Sequence, residues 1–236
     1  MGKVNSIQTL GALDGPGVRF VVFLQGCNLR CHCCHNPDTW EMFGGTEYTA
    51  KEIVDKCERF KEYFGDKGGI TLSGGEPLLQ AEFCLEVFKE CHKRGINTCL
   101  DTSGSILNDS VKALLCETDT VLLDIKYTND QDYEKYVGCS TKIPIEFLDC
   151  LSQKNIPTVL RQVIIPTIND NEQNILKLKE IRDSHKNIYK TEFLPFKKLC
   201  SVKYEKLGID FKFKNISEPT KEKIEYLEKL YIGARQ

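Results

Sequence analysis

Four of the chain's twelve cysteines fall within eight residues, at Cys27, Cys31, Cys33 and Cys34. Thiols this close must share a metal, pair with one another or be kept apart by the backbone. The first seventeen residues carry one early lysine and no apolar signal run, and no later stretch reaches the roughly 18 apolar residues of a membrane span. The expectation is a cytoplasmic protein, where clustered reduced thiols point to metal or redox chemistry and not to a disulfide framework. The other cysteines, scattered from Cys57 to Cys200, read as small buried hydrophobes.

The loop that bears these thiols follows a strand. Residues 18–24, VRFVVFL, are dense in β-branched and aromatic side chains and end at Gln25-Gly26. Thr49 caps an expected helix over 50–64, with Ile53, Val54, Cys57, Phe60 and Phe64 at helical spacing. Strands are then expected at 69–73, 96–101, 119–125, 157–165 and 188–194, separated by helices at 80–94, 107–116, 144–153 and 171–185. Six strands joined by helical crossovers imply an α/β fold with a parallel sheet, and six such units fit a partial (β/α)6 TIM-like barrel. Residues 197–218 are basic and poorly periodic and read as a long loop. A last helix is expected to start near Pro219, with Ile224, Leu227, Leu230 and Tyr231 on one face. No boundary interrupts residues 1–236, so a single domain is expected. With 32 basic against 34 acidic residues, no broad field favours nucleic acid or an anionic membrane, and partners must be chosen by local surfaces.

Cys27, Cys31 and Cys34 form C-x3-C-x2-C. Three thiolates on one loop can hold three irons of a cubane and leave the fourth open. A zinc knuckle drawn from Cys31, His32, Cys33, Cys34 and His35 would need a second ligand pair, and none stands at a usual spacing. Unliganded thiols are the remaining alternative. Gly74-Gly75-Glu76 follows the second strand, where two glycines let the backbone approach a ligand closely, although such a turn is often only a turn. Asp101 and Asp124 close the third and fourth strands, and Lys126 and Arg161 lie at or near the ends of the fourth and fifth. In a barrel these ends face one mouth. Helix capping and ordinary ion pairing would equally explain them. Asp14 sits in a Gly-Pro-Gly turn that an Asx turn alone would account for.

The C-x3-C-x2-C loop after the first strand and Ser73-Gly-Gly-Glu-Pro77 after the second resemble the radical S-adenosylmethionine (SAM) superfamily. The stretches Asp14-Gly-Pro-Gly-Val-Arg-Phe20, Gln25-Gly-Cys27, Cys34-His-Asn-Pro-Asp-Thr-Trp40, Leu79-Gln-Ala-Glu-Phe83, Thr98-Cys-Leu-Asp-Thr102 and Leu123-Asp-Ile-Lys126 are similar to the activating enzymes of glycyl-radical enzymes, above all the branch acting on pyruvate formate-lyase. The likeness runs from about residue 5 to 200.

It implies a [4Fe–4S] cluster on Cys27, Cys31 and Cys34. The open iron chelates the amino and carboxylate groups of SAM, one electron cleaves the sulfonium, and a 5′-deoxyadenosyl radical takes hydrogen from a glycine Cα of the partner. It implies SAM contacts from Cys33, Cys34, His35, Gly74, Gly75, Glu76, Asp124, Lys126 and Arg161. Asp101, Thr102 and Asp124, with the carbonyl of Leu122, would hold a monovalent cation, and Asp14 would touch the partner's glycine loop. A flavodoxin or ferredoxin would supply the electron. Cys57 is the one cysteine between Cys34 and Ser73, so no inserted ferredoxin-like domain with further cubanes fits there. Two positions depart from the pattern: Cys33 replaces an aromatic residue expected near adenine, and Lys197 stands where a SAM-contacting histidine is expected. The alternatives are an activase of anaerobic ribonucleotide reductase, a radical SAM enzyme for a small molecule, and a cysteine-rich metal-binding scaffold, the last distinguished by failure to cleave SAM.

Overall fold

Strand β2 (Arg19–Leu24) is buried at all but one position, as a strand covered on both faces must be. The computed structural model describes residues 1–233 and builds outward from this strand. β4 (Gly69–Gly74), β5 (Asn97–Thr102), β6 (Thr120–Asp124), β7 (Thr158–Ile164) and β8 (Ile188–Pro195) follow β2 in parallel, each beside its predecessor. This sequential order is that of the expected (β/α)6 partial barrel, and the sheet stays open at β8. Helices α1 (Ala50–Glu58), α2 (Ala81–Lys93), α3 (Asp109–Leu115), α4 (Asp130–Tyr136), α5 (Lys142–Gln153), α6 (Glu172–Ser184), α7 (Ser201–Leu207) and α8 (Lys221–Ile232) complete the chain. The main core includes Phe20, Leu24, Ile53, Leu72, Phe88, Leu100 and Phe147.

Several elements differ from expectation. β1 (Gly2–Gly11) and β3 (Thr46–Tyr48) extend the sheet antiparallel beyond β2. β1 is largely polar and only partly covered, and register shifts between Val4 and Ser6 and between Gln8 and Gly11 break its alternation. The helix expected over 50–64 ends at Glu58, and a single 3-10 turn, Lys61–Tyr63, follows. Its start is as expected: the Thr49 side chain accepts from the Glu52 backbone while Glu52 accepts from the Thr49 N–H at 2.8 Å. The basic stretch 197–218 is not all loop, since α7 lies within it. Thr220, one residue beyond Pro219, caps α8. Cys57, Cys84, Cys91, Cys99 and Cys200 are buried as expected, whereas Cys116 is exposed.

Arg19 closes the N-terminal end of the barrel. Its fully buried guanidinium donates to Thr71 Oγ1 at 3.0 Å, Lys67 O at 3.1 Å and Asn97 Oδ1 at 2.9 Å, and also to Ile70 O. These acceptors tie together the starts of β2, β4 and β5. Burial lowers the Arg19 pKa, and no carboxylate bonds the guanidinium among the described residues. Arg19→Met should therefore cost about 3 kcal/mol by orphaning buried acceptors. Urea unfolding measures this, and a change within 0.5 kcal/mol, the usual scatter of a surface substitution, would contradict the role.

Candidate active site

The Gly-Gly turn and the cysteine loop are joined through their backbones. Leu24 of β2 lies opposite Gly74 of β4. Gly75 N donates to Leu24 O at 2.9 Å, Glu76 N to Gly26 O at 2.8 Å, and Gly26 N to Thr39 O at 2.9 Å. A Cβ on Gly75 would lie 2.0 Å from Gly26 O, so glycine is what lets the two strand ends touch. Glu76 is buried, and its oxygens accept from Leu78 N at 3.1 Å, Thr102 Oγ1 at 2.5 Å, Ser103 N at 3.1 Å and the Ser103 hydroxyl. Burial raises its pKa, and these donors oppose the rise. Glu76 thus latches β4 to the end of β5.

Cys27, Cys31 and Cys34 are partly buried and Cys33 is buried. The Leu29 N–H points at Cys27 Sγ and the Asn36 N–H at Cys34 Sγ, each at 3.4 Å. Cys34 N donates to Cys31 O at 3.1 Å, His32 N to Tyr136 O at 2.9 Å, and Tyr204 Oη to Cys34 O at 3.1 Å. These bonds hold the loop from both sides. Burial pushes the Cys27 thiol up to about 12 and Cys33 up to about 11, and raises Cys31 and Cys34 as well. The Lys126 ammonium opposes the rise at all four. Among the described residues, no three His, Cys, Asp or Glu side chains are already gathered around one point as a metal site.

Beside the thiols lies an array of four charges, with Arg161 buried and Asp101, Asp124 and Lys126 partly buried. Arg161 Nε contacts Asp124 Oδ1 at 2.8 Å, its Nη2 pairs with Asp101, and Lys126 Nζ contacts Asp124 Oδ2 at 2.6 Å. Ser73 Oγ donates to Asp101 Oδ2 at 2.6 Å. The register creates this arrangement, since Asp124 lies directly opposite Arg161. Burial would raise Asp124, yet Arg161 and Lys126 overcome it and hold the carboxyl at about 2. At Asp101 burial wins over Arg161 and the pKa rises. Burial would lower Lys126, but Asp124 and the neighbouring thiols lift it well above the ordinary value.

Other expected residues are placed differently. Thr102 is not gathered with Asp101 and Asp124, because its hydroxyl donates to Glu76. The Lys197 side chain turns to Glu218 at 2.8 Å, and its carbonyl lies 3.0 Å from His35 Nε2. Asp14 is partly buried. Burial raises its pKa while Arg161 opposes it, and its carbonyl accepts from Thr71 Oγ1 at 2.7 Å. A cavity of about 910 Å³ opens between the β1–β2 loop and β8, lined by Leu13, Gly15, Leu122, Val159, Tyr189 and Tyr231 among others. Sequence reasoning missed Ser73 and Ser103, which complete the carboxylate bonding. Ser73 opens the Ser-Gly-Gly-Glu-Pro motif and Ser103 follows the Thr98–Thr102 stretch, but nothing in either marks the serine as a partner of a carboxylate.

The model of the radical SAM superfamily matches residues 21–178. The chain belongs to that superfamily. Within it, the chain is 45% identical over 230 residues to the pyruvate formate-lyase-activating enzyme of Clostridium pasteurianum, covering 97% of this chain and 96% of that one. It is 37% identical over 228 residues to the pyruvate formate-lyase 1-activating enzyme of Escherichia coli K12, covering 95% and 93%. Among solved structures, a domain of a pyruvate-formate lyase-activating enzyme from Bacteroides vulgatus aligns with TM-score 0.58 at 20% identity, over 70% of this chain and 93% of that chain. Streptococcus suis SuiB bound to its precursor peptide SuiA gives 0.69 at 14% identity, over 89% and 45%, a likeness of fold. As a member of the pyruvate formate-lyase-activating family, this radical SAM enzyme uses a [4Fe–4S] cluster and SAM. Sulfur donors on one partly buried loop, next to a cation that favours thiolate, fit such a soft-ligand group.

Two expectations follow. Gly75→Ala should part the strand ends and sharply lower iron and sulfide retained per chain after reconstitution, and wild-type retention would contradict the close approach. Because Asp124 titrates near 2 when folded against about 3.9 when unfolded, its pairing stabilises fully above pH 4 and is lost as pH falls toward 2. Asp124→Asn should therefore flatten that acid limb in urea unfolding of the cluster-free protein, and an unchanged limb would contradict it.

Proposed function

We propose that the partner of this enzyme is pyruvate formate-lyase, and that the cluster sits on Cys27, Cys31 and Cys34 while Cys33 is not a ligand. The observation that carries this is the meeting of the thiol loop, the Gly-Gly turn and the charge array at the C-terminal ends of adjacent strands. The partner rests on the names of relatives matched over nearly their full length.

A cluster held by Cys27, Cys31 and Cys34 would supply the one electron for reductive cleavage of SAM, the chemistry by which a glycine Cα hydrogen of the partner would be removed. This chain's residues prepare that event. Lys126 favours thiolates at the loop and stands ready for the SAM carboxylate. Gly74 and Gly75 offer carbonyls to its amino group, since the Gly75 N–H is already spent on Leu24. Glu76 holds this turn in place through Thr102 and Ser103, and Arg161 and Asp124 form the wall for SAM's polar groups. Cys34 and His35 edge the SAM side of the loop. Cys33 lies in an apolar cluster with Tyr127 and Phe213 and contributes packing where an aromatic was expected. A monovalent cation here would share Asp101 and Asp124 with Arg161. Thr102 and Leu122 would offer it backbone carbonyls, as the Thr102 hydroxyl is committed elsewhere.

The cavity between the β1–β2 loop and β8 suits an extended loop of the partner, with Asp14 between the lining residues Leu13 and Gly15. Among the described residues, β8 leaves one backbone edge unpaired beside it.

Alanine at Cys27, Cys31 or Cys34 should abolish 5′-deoxyadenosine formation, while Cys33→Ala retains most of it. Equal loss at Cys33 would overturn the ligand assignment. Reconstituted enzyme with reductant and SAM should switch on pyruvate cleavage by pyruvate formate-lyase. Activation of anaerobic ribonucleotide reductase instead would redirect the partner.

A further inference from the structure

Between Lys197 and Lys214 stand six lysines and two acids, in a chain whose net charge is -2. This segment is fastened over the cysteine loop. Tyr204 Oη donates to Cys34 O at 3.1 Å, and Lys203 Nζ reaches Asn36 Oδ1 and Asp38 Oδ1, each at 2.9 Å. Phe213 meets the His32 ring edge-on at 5.4 Å, and His32 lies within the field of both Lys135 and Lys212. The outer surface is not wholly polar, for Leu199 is 84% exposed and Val202 53%. The Lys198 and Lys206 ammonium groups have no carboxylate partner among the described residues, and Lys212 shares the single carboxylate of Asp210 with Lys214. An apolar centre inside a charged rim is the make-up of a protein interface, and the sign of the rim selects a partner of opposite charge.

We propose that this face, with Leu199 and Val202 at its centre and Lys198, Lys206 and Lys212 around them, is the dock for an acidic one-electron carrier protein. The inference rests on the radical SAM reading above, which requires one electron for each SAM cleaved. The carrier is oxidised by one electron and the cluster reduced by one, with no proton transferred. Electron transfer weakens steeply with separation, and here Tyr204 of this segment bonds the backbone of the partly buried Cys34 directly. The cavity assigned to the glycine partner uses none of residues 197–214, so the two partners need share no residue.

The test is titration of the reconstituted enzyme with flavodoxin at low salt, by calorimetry. Lys206→Glu combined with Lys212→Glu changes two exposed side chains and should weaken binding about tenfold and flatten its salt dependence. Lys89→Glu, exposed on α2, should leave both unchanged. SAM cleavage driven by photoreduced 5-deazariboflavin, an uncharged small reductant, should be equal in all three proteins. Undiminished flavodoxin binding by the double variant, or equal weakening by Lys89→Glu, would overturn the dock. Loss of deazariboflavin-driven cleavage in the double variant alone would also overturn it, by placing the lysines in the SAM chemistry. A wild-type enzyme that binds flavodoxin but cleaves no SAM with either reductant would instead overturn the radical reading, and the purpose of the dock with it.

Discussion

The bridge from Arg161 to Asp101 and Asp124 is the interaction on which the mouth of this barrel depends. Four charges largely withdrawn from water are stable only where most lone pairs and protons find a partner. Ser73 and Lys126 complete that set, so the ends of β4, β5, β6 and β7 are held in one arrangement. The opposite end is built in another way. Arg19 spends its protons on carbonyls, an amide and a hydroxyl at the strand starts, which closes the base without a carboxylate. A polar, charge-balanced mouth and a sealed base leave one end for chemistry.

Lys126 connects this array to the thiols. It pairs with Asp124 and at the same time lowers the cost of thiolate at each cysteine of the loop. Burial alone would keep those thiols protonated, which disfavours metal binding. The thiol loop and the charge array are therefore electrostatically coupled through one ammonium group. They are mechanically coupled as well, through the backbone contact of Gly75 with Gly26.

The parallel core was legible because buried strands read as continuous apolar runs, as in VRFVVFL, and because the loop thiols follow one of them directly. β1 was not legible. Its exposed face is polar, and two register shifts erase the period that would have announced it. α7 hides in a lysine-rich stretch because only Tyr204 in it is buried. At the site, residue types were visible and their bonds were not. Glu76 reads as a SAM contact, but its bonds to Thr102 and Ser103 do not show in the sequence, and Lys197 reads as a departure from an expected histidine, without sign of its pairing with Glu218. Those pairings depend on side-chain direction across neighbouring elements, which local sequence does not carry.

The central claim is that these residues direct a radical onto a glycine of pyruvate formate-lyase. Electron paramagnetic resonance of the reconstituted enzyme with reductant, SAM and pyruvate formate-lyase tests it directly, once with ordinary partner and once with partner labelled with deuterium at glycine Cα. The account predicts a glycyl doublet that collapses on labelling, with one 5′-deoxyadenosine formed per radical. 5′-Deoxyadenosine without any glycyl signal would contradict the assigned partner, and absence of both would contradict the chemistry.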